Sequence, residues 1–102
     1  MSKARFQWDQ SGQVSVEGEL TFGTAAAMLR DSKGLFRGHA PSLEIDLSGV
    51  HRADSAGLAL LVHWLREAHR NGRDIVFHNL PRQMLAIARV SDLEDILPRG
   101  EA

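Results

Sequence analysis

Cysteine is absent from this 102-residue chain, which excludes disulfide bonds, thiolate metal sites and cysteine-based catalysis. An excess of charge is absent too: the formal net charge is -1, without the basic face that general nucleic-acid binding requires. The longest apolar run, Leu58 to Leu65, is interrupted by His63 and is too short to span a bilayer. The first residues carry no apolar signal-peptide core. These absences predict a soluble cytoplasmic protein with no nucleic-acid partner and no direct membrane insertion.

The balance of residue types is that of an ordinary globular protein, with 43% hydrophobic and 25% charged residues. A chain of this length is long enough for one domain and too short for two, so residues 1–102 are predicted to form a single domain. A core of this size favours surface sites over deep catalytic clefts.

Apolar periodicity predicts strands that alternate with helices. Alternating apolar residues on both sides of a Ser11-Gly12 turn indicate an N-terminal β-hairpin. A first helix is predicted from about Ala25 to Lys33, capped by Thr21 or Thr24. The later predicted elements are a strand at Leu43–Leu47, a helix at Ser55–Arg70, a strand at Asp74–His78, a helix from Pro81 to about Val90, and a short element at Leu93–Leu97.

This order predicts an α/β fold with a four- to five-stranded, mostly parallel sheet that is packed by the helices. The N-terminal strand is expected to be antiparallel at one edge, and the Leu43–Leu47 strand to lie in the interior.

The second predicted helix has apolar residues on two sides. At 100° per residue, one side faces the sheet and carries Leu58, Leu61, Val62, Leu65 and His69. Ala56, Leu60 and Trp64 fall on the opposite side. One interpretation is a partner-binding stripe that starts at Ser55. The alternative is that Trp64 folds over the sheet edge while Leu60 is a scattered surface residue.

Catalytic patterns find little support in this chain. Ser55 follows Asp54 with His51 nearby, but the G-x-S-x-G elbow is missing. The five histidines do not form H-E-x-x-H, and the glycines match neither phosphate-binding pattern. Ser55 or Asp54 is instead predicted to cap the helix, which stabilises a domain by roughly 1 kcal/mol. We therefore predict no enzyme activity, no cofactor and no metal.

The segment Asp54-Ser55-Ala56-Gly57-Leu58, after the strand end Ile45-Asp46-Leu47-Ser48, resembles the signature of the STAS domain family. That family includes the anti-sigma factor antagonists, and the order of elements fits it from about Phe6 to Leu97. The resemblance implies the STAS fold. In the antagonists a partner kinase phosphorylates the hydroxyl after the aspartate, and the phosphate breaks the complex. Ser55 is the matching candidate, whereas Ala56 replaces a second hydroxyl found in many antagonists.

The runs Gly57–Leu65 and Asp95–Pro98 look closer to one branch of the family, the small STAS subunits of phospholipid-transport ABC complexes in Gram-negative bacteria. The resemblance implies a non-catalytic subunit that binds the cytoplasmic ATPase, and through it the permease, at the inner membrane. Such complexes maintain the lipid asymmetry of the outer membrane. The partner-binding residues predicted beside Ser55 are Asp54, Ala56, Gly57, Ala59, Leu60, His63 and Trp64. The alternative function is an anti-sigma factor antagonist switched by serine phosphorylation.

Overall fold

A computed structural model of the protein describes residues 4–9 and 11–100. Its strands are β1 (Ala4–Trp8), β2 (Gln13–Leu20), β3 (Ser42–Ala53) and β4 (Asp74–His78). Its α-helices are α1 (Ala25–Asp31), α2 (Ser55–Arg70) and α3 (Arg82–Val90). Two 3-10 helices follow α1 and α3, at Ser32–Arg37 and Glu94–Ile96.

The sheet of the described residues confirms the predicted α/β class. Its strand order is β1-β2-β3-β4, with β1 antiparallel to β2 and the other two pairs parallel. Parallel neighbours need a crossover connection, and α1 and α2 provide those from β2 to β3 and from β3 to β4. The predicted strand Leu43–Leu47 lies within β3, between β2 and β4, and therefore inside the sheet.

Alternation along β3 separates the two faces of the sheet. Leu43, Ile45 and Leu47 are fully buried in the core, whereas Glu44 and Asp46 between them are half-buried on the other face. The buried side chains of α2 and α3 complete the same core. The helices therefore cover one face, and the second face carries polar side chains.

Strand β3 is longer than predicted. The segment Ser48–Arg52, which lies between the predicted strand and the predicted helix, continues the strand and pairs with β2, for example Gly49 with Glu17. Strand β4 pairs only with the first part of β3, from Ser42 to Asp46. At the far end, the backbone N–H of Ala53 donates to the side-chain Oε1 of Gln83 at 3.1 Å, so α3 supplies an acceptor there.

Helix α1 is shorter than predicted, because the chain tightens into a 3-10 helix after Asp31. Met28 is buried, whereas Leu29 faces outward and is 37% exposed. Thr24 occupies the N-cap position, where its Oγ1 donates to the carbonyl of Glu19 at 2.7 Å and accepts from the N–H of Thr21 at 3.0 Å.

The predicted N-terminal hairpin is confirmed by the pairing of β1 with β2, and Gln10 of its turn lies outside the described residues. No helix within residues 4–9 and 11–100 combines the length and the apolar character needed to cross a membrane.

Candidate partner-binding site

The carboxylate of Asp54 organises the start of α2. Its Oδ1 accepts the backbone N–H groups of Ala56 at 2.9 Å and Gly57 at 3.3 Å, which are among the free donors at the helix N-terminus. Its Oδ2 accepts the N–H of Phe22 at 3.1 Å. The predicted cap is therefore confirmed for Asp54, which also joins the turn before α1 to the first turn of α2.

Two opposing effects act on the pKa of Asp54. Partial burial tends to raise the pKa of this carboxyl, but the N–H groups of Phe22, Ala56 and Gly57 outweigh it, with help from the charge of Arg52. The net result is a pKa below the ordinary value for aspartate. The cap is thus held in its charged form.

Gly57 brings α2 close to the end of β2. A Cβ at this position would collide with the carbonyl oxygen of Leu20. That carbonyl also accepts the N–H of Asp54 at 3.2 Å, which fixes the approach. Gly57 is buried because helix and strand pack closely here, so it supports the surface from beneath. Its assignment as a partner-binding residue stays a prediction.

Ser55 is exposed in the first turn of α2, as predicted. Asp54 takes the capping role, and among the described residues the Ser55 hydroxyl has no hydrogen-bond partner. The hydroxyl therefore stands free at the positive end of a 16-residue helix.

An apolar groove of about 430 Å³, here called the α1–α2 groove, begins on α2 at Ala56, the residue after Ser55. Helix α2 contributes Ala56, Ala59, Leu60 and His63 to its lining; α1 and the turn before it contribute Phe22, Ala25, Ala26 and Leu29. Phe22 is 87% exposed. The structure therefore brings four of the predicted partner-binding residues together on one apolar surface.

Trp64 is not part of this surface. It is completely buried: its indole Nε1 donates to Ser32 Oγ at 2.9 Å, and its ring packs at 5.7 Å between centroids against Phe6 of β1. The prediction of Trp64 as an exposed anchor is wrong, because β1 and the 3-10 helix after α1 cover that side of α2. The alternative interpretation, in which Trp64 packs at the sheet edge, describes it better.

Leu60 is also buried, at 4% exposure, and forms the floor of the α1–α2 groove instead of projecting from the helix. Phe22, Ala26 and Leu29 were missed by the sequence reasoning. The only signal for Phe22 is an aromatic residue between Thr21 and Gly23, outside any periodic pattern.

Within residues 4–9 and 11–100, no three His, Asp or Glu side chains come together in a way that could hold a metal ion. The site itself consists of an apolar groove, an exposed hydroxyl and a charged helix cap.

A family model described as "Mlab, STAS domain" matches residues 5–98. The Intermembrane phospholipid transport system binding protein MlaB of Escherichia coli (strain K12) is 38% identical over 56 residues, which cover 54% of this chain and 58% of that protein. The protein of the same name from Shigella flexneri matches with the same figures. The match thus spans a little over half the length of these relatives.

Solved structures with the same fold include anti-sigma factor antagonists. The antagonist from Mycobacterium paratuberculosis has a TM-score of 0.80 at 22% identity, covering 98% of this chain and 87% of that one. The anti-sigma factor antagonist SpoIIAA in its unphosphorylated form has a TM-score of 0.72 at 16% identity, covering 97% and 89%. At these identities the likeness shows the fold alone.

Proposed function

The chain belongs to the MlaB-type STAS domain family, and from this we propose that it is a non-catalytic accessory subunit of a phospholipid-transport (Mla) ABC complex. In this role it binds the cytoplasmic ATPase subunit, and through it the permease, at the inner membrane. The complex serves the lipid asymmetry of the outer membrane. The family match over residues 5–98 and the name of the Escherichia coli relative support this assignment.

The α1–α2 groove, together with Ser55 at the start of α2, is the surface we assign to the ATPase. The observation that carries this assignment is the exposure of Phe22: this large apolar residue is 87% exposed and lies on a mostly apolar surface. A contiguous exposed apolar patch marks an interaction site, and aromatic anchors contribute much of the energy of an interface.

The shape of the groove suits an apolar segment of the ATPase. Alanines from both helices line it, so a partner side chain can approach the backbone closely between Phe22 and His63. An amphipathic helix placed in a groove is a common form of such recognition. The imidazole of His63 supplies a polar group in the lining.

The test is a binding measurement between the purified ATPase subunit and the Phe22→Ala variant. We expect a loss of roughly 2 kcal/mol, about thirtyfold in Kd, because an exposed anchor contributes to the complex and not to the core. Val90→Ala is the matched control, since Val90 is 89% exposed on α3 and lies outside the groove. Equal binding by Phe22→Ala and wild type would remove the groove from the interface.

The exposed hydroxyl of Ser55 supports a second candidate function, an anti-sigma factor antagonist controlled by serine phosphorylation. The fold of the antagonists is compatible with it. Wild-type protein that ignores the ATPase, but captures a serine kinase of the anti-sigma type and is phosphorylated on Ser55, would favour this function instead.

A further inference from the structure

A second cleft, here called the basic cleft, lies between the end of β1 and the loop after the first 3-10 helix. Its volume is about 460 Å³, within the range of small-molecule sites. Trp8 forms an apolar wall and is 42% exposed. Three basic side chains line the same cleft: Arg37, His39 and Arg73. The α1–α2 groove uses none of these residues.

Arg73 is the unusual member, because it is only 7% exposed. Its Nε donates to the carbonyl of Ala40 and its Nη1 to the carbonyl of Leu35, both at 2.6 Å. Among the described residues, no carboxylate pairs with Arg73, and its Nη2 has no hydrogen-bond acceptor. Burial lowers the pKa of Arg73, but a guanidinium remains charged at neutral pH.

A buried guanidinium held only by carbonyl oxygens keeps an uncompensated positive charge. Taking a charge out of water is costly unless an opposite charge accompanies it, which is why buried charges are normally paired. The two carbonyls fix the plane of the Arg73 guanidinium and leave Nη2 for another acceptor. A carboxylate or phosphate oxygen is the strongest acceptor for such a donor.

Gly38 leaves the approach to the guanidinium open. A Cβ on Gly38 would lie 3.8 Å from Nη2 and 3.9 Å from Nη1 of Arg73, in ordinary van der Waals contact. The glycine has a φ of -73°, so it is not there to permit a strained backbone. A methyl group would thus be tolerated by the fold and would partly cover the charged nitrogens.

The acidic residue in the lining, Asp9, directs one carboxylate oxygen into its own turn. Its Oδ1 accepts the N–H groups of Ser11 at 2.9 Å and Gln13 at 3.2 Å. Among the described residues, Asp9 forms no ion pair with Arg37 or Arg73. The side chains of Arg37 and His39 are exposed at the mouth of the cleft. The cleft therefore combines a buried cation, exposed basic groups and an aromatic wall.

We propose that the basic cleft binds a small organic anion whose carboxylate or phosphate group pairs with Arg73 and Arg37 and whose apolar part lies against Trp8. This site is separate from the groove assigned to the ATPase. The proposal can therefore be supported or contradicted independently of the proposed ATPase binding.

The test is an NMR titration of the ¹⁵N-labelled full chain at constant ionic strength. The probes are N-acetyl-phenylalanine, its neutral amide and inorganic phosphate. We expect at least one of the two oxyanions to give saturable shifts at the Arg73 Nε–H and the Gly38 amide. The neutral amide should bind roughly tenfold more weakly than the acid, because it lacks the charge-assisted hydrogen bonds. A comparison of the affinities for phosphate and for the acid shows which oxyanion the cleft prefers.

Variants at other residues locate the binding site. Arg73 itself is kept, because its hydrogen bonds to two backbone carbonyls also stabilise the fold. Arg37→Gln should weaken binding several-fold, and Gly38→Ala should weaken it by obstruction. Arg70→Gln is the matched control, because the Arg70 side chain is 74% exposed and outside the cleft. No saturable shift with either oxyanion, saturable binding of the amide that is as tight as that of the acid, or wild-type affinity in both cleft variants would overturn the proposal.

Discussion

Phe22 and Trp64 are both large aromatic residues beside α1 and α2, yet the first is 87% exposed and the second fully buried. The N–H of Phe22 is held by Asp54, which keeps its turn against the start of α2 while the ring projects into solvent. The indole of Trp64 is enclosed by Phe6 and Ser32. Helix α2 thus has an enclosed side that maintains the fold and an exposed first turn available to a partner. Changes on the two sides should affect different measurements.

The largest effect is expected from Trp64→Ala. It removes a fully buried indole and leaves the Ser32 hydroxyl without its donor, so the free energy of unfolding should fall by about 3–5 kcal/mol. Urea denaturation followed by circular dichroism measures the loss. Trp64→Phe, which keeps much of the volume, should cost less. If Trp64→Ala had the same urea midpoint as wild type, the enclosed side of α2 would not contribute to stability as proposed.

Gly57→Ala should have the next largest effect. The added methyl group meets the carbonyl and side chain of Leu20, and separating α2 from β2 should cost about 1–3 kcal/mol. Gly23→Ala is the matched control: its nearest neighbour would be Thr21 Oγ1 at 3.7 Å, so its stability should change by less than about 0.5 kcal/mol. Two equally stable variants would show that the contact between α2 and β2 can relax.

Asp54 caps α2 and also holds the turn before α1, so it contributes both to the fold and to the exposed first turn. A change of pH isolates the contribution of its charge to stability. Its folded-state pKa lies below the ordinary value, so its charge stabilises the fold above the unfolded-state pKa of about 3.9. This stabilisation is lost as the pH falls through the lower, folded-state pKa. Asp54→Asn keeps a capping oxygen but does not titrate.

The stability difference between wild type and Asp54→Asn should therefore be largest near pH 7 and shrink as the solution is acidified below about pH 4. Urea denaturation at a series of pH values measures it. A difference that stays constant from pH 7 to pH 3 would show that the charge of Asp54 adds nothing to the cap.

The smallest effects on stability are expected at Ser55. Ser55→Ala should change the free energy of unfolding by less than about 0.5 kcal/mol, since Asp54 provides the cap. Ser55→Asp should fold equally well, because a negative charge is favourable at a helix N-terminus. Its affinity for the ATPase should nevertheless fall, because it places a charge in the interface. Unchanged affinity of the Asp variant would remove Ser55 from the contact surface.

The elements with clear boundary signals could be predicted from the sequence. The limits of α2 were correct to the residue, because Asp54 marks its start and Asn71-Gly72 its end. Strand β4 was also correct. The end of β3 was not, because its polar residues Ser48–Arg52 suggest a loop, and only pairing with β2 makes them a strand.

The candidate site could be predicted only in part. The groove residues on α2 could be predicted from the motif around Ser55. Phe22 and Leu29 could not, because they join the groove only through the packing of α1 beside α2. Trp64 was misplaced because a helical wheel assumes one covering partner. Phe6 and Ser32, which enclose its other side, are distant in the sequence and enter through tertiary packing.

The hydrogen bond from Ala53 to Gln83 has a consequence for the order of events during synthesis. The strand that leads directly into Asp54 and Ser55 ends at a backbone N–H whose acceptor lies 30 residues further along the chain. A nascent chain on the ribosome cannot form this bond until Gln83 has left the exit tunnel, although α1, α2 and the whole lining of the α1–α2 groove have already been made by then. The hydrogen bond that holds the end of β3 can therefore form only after α3 has been translated.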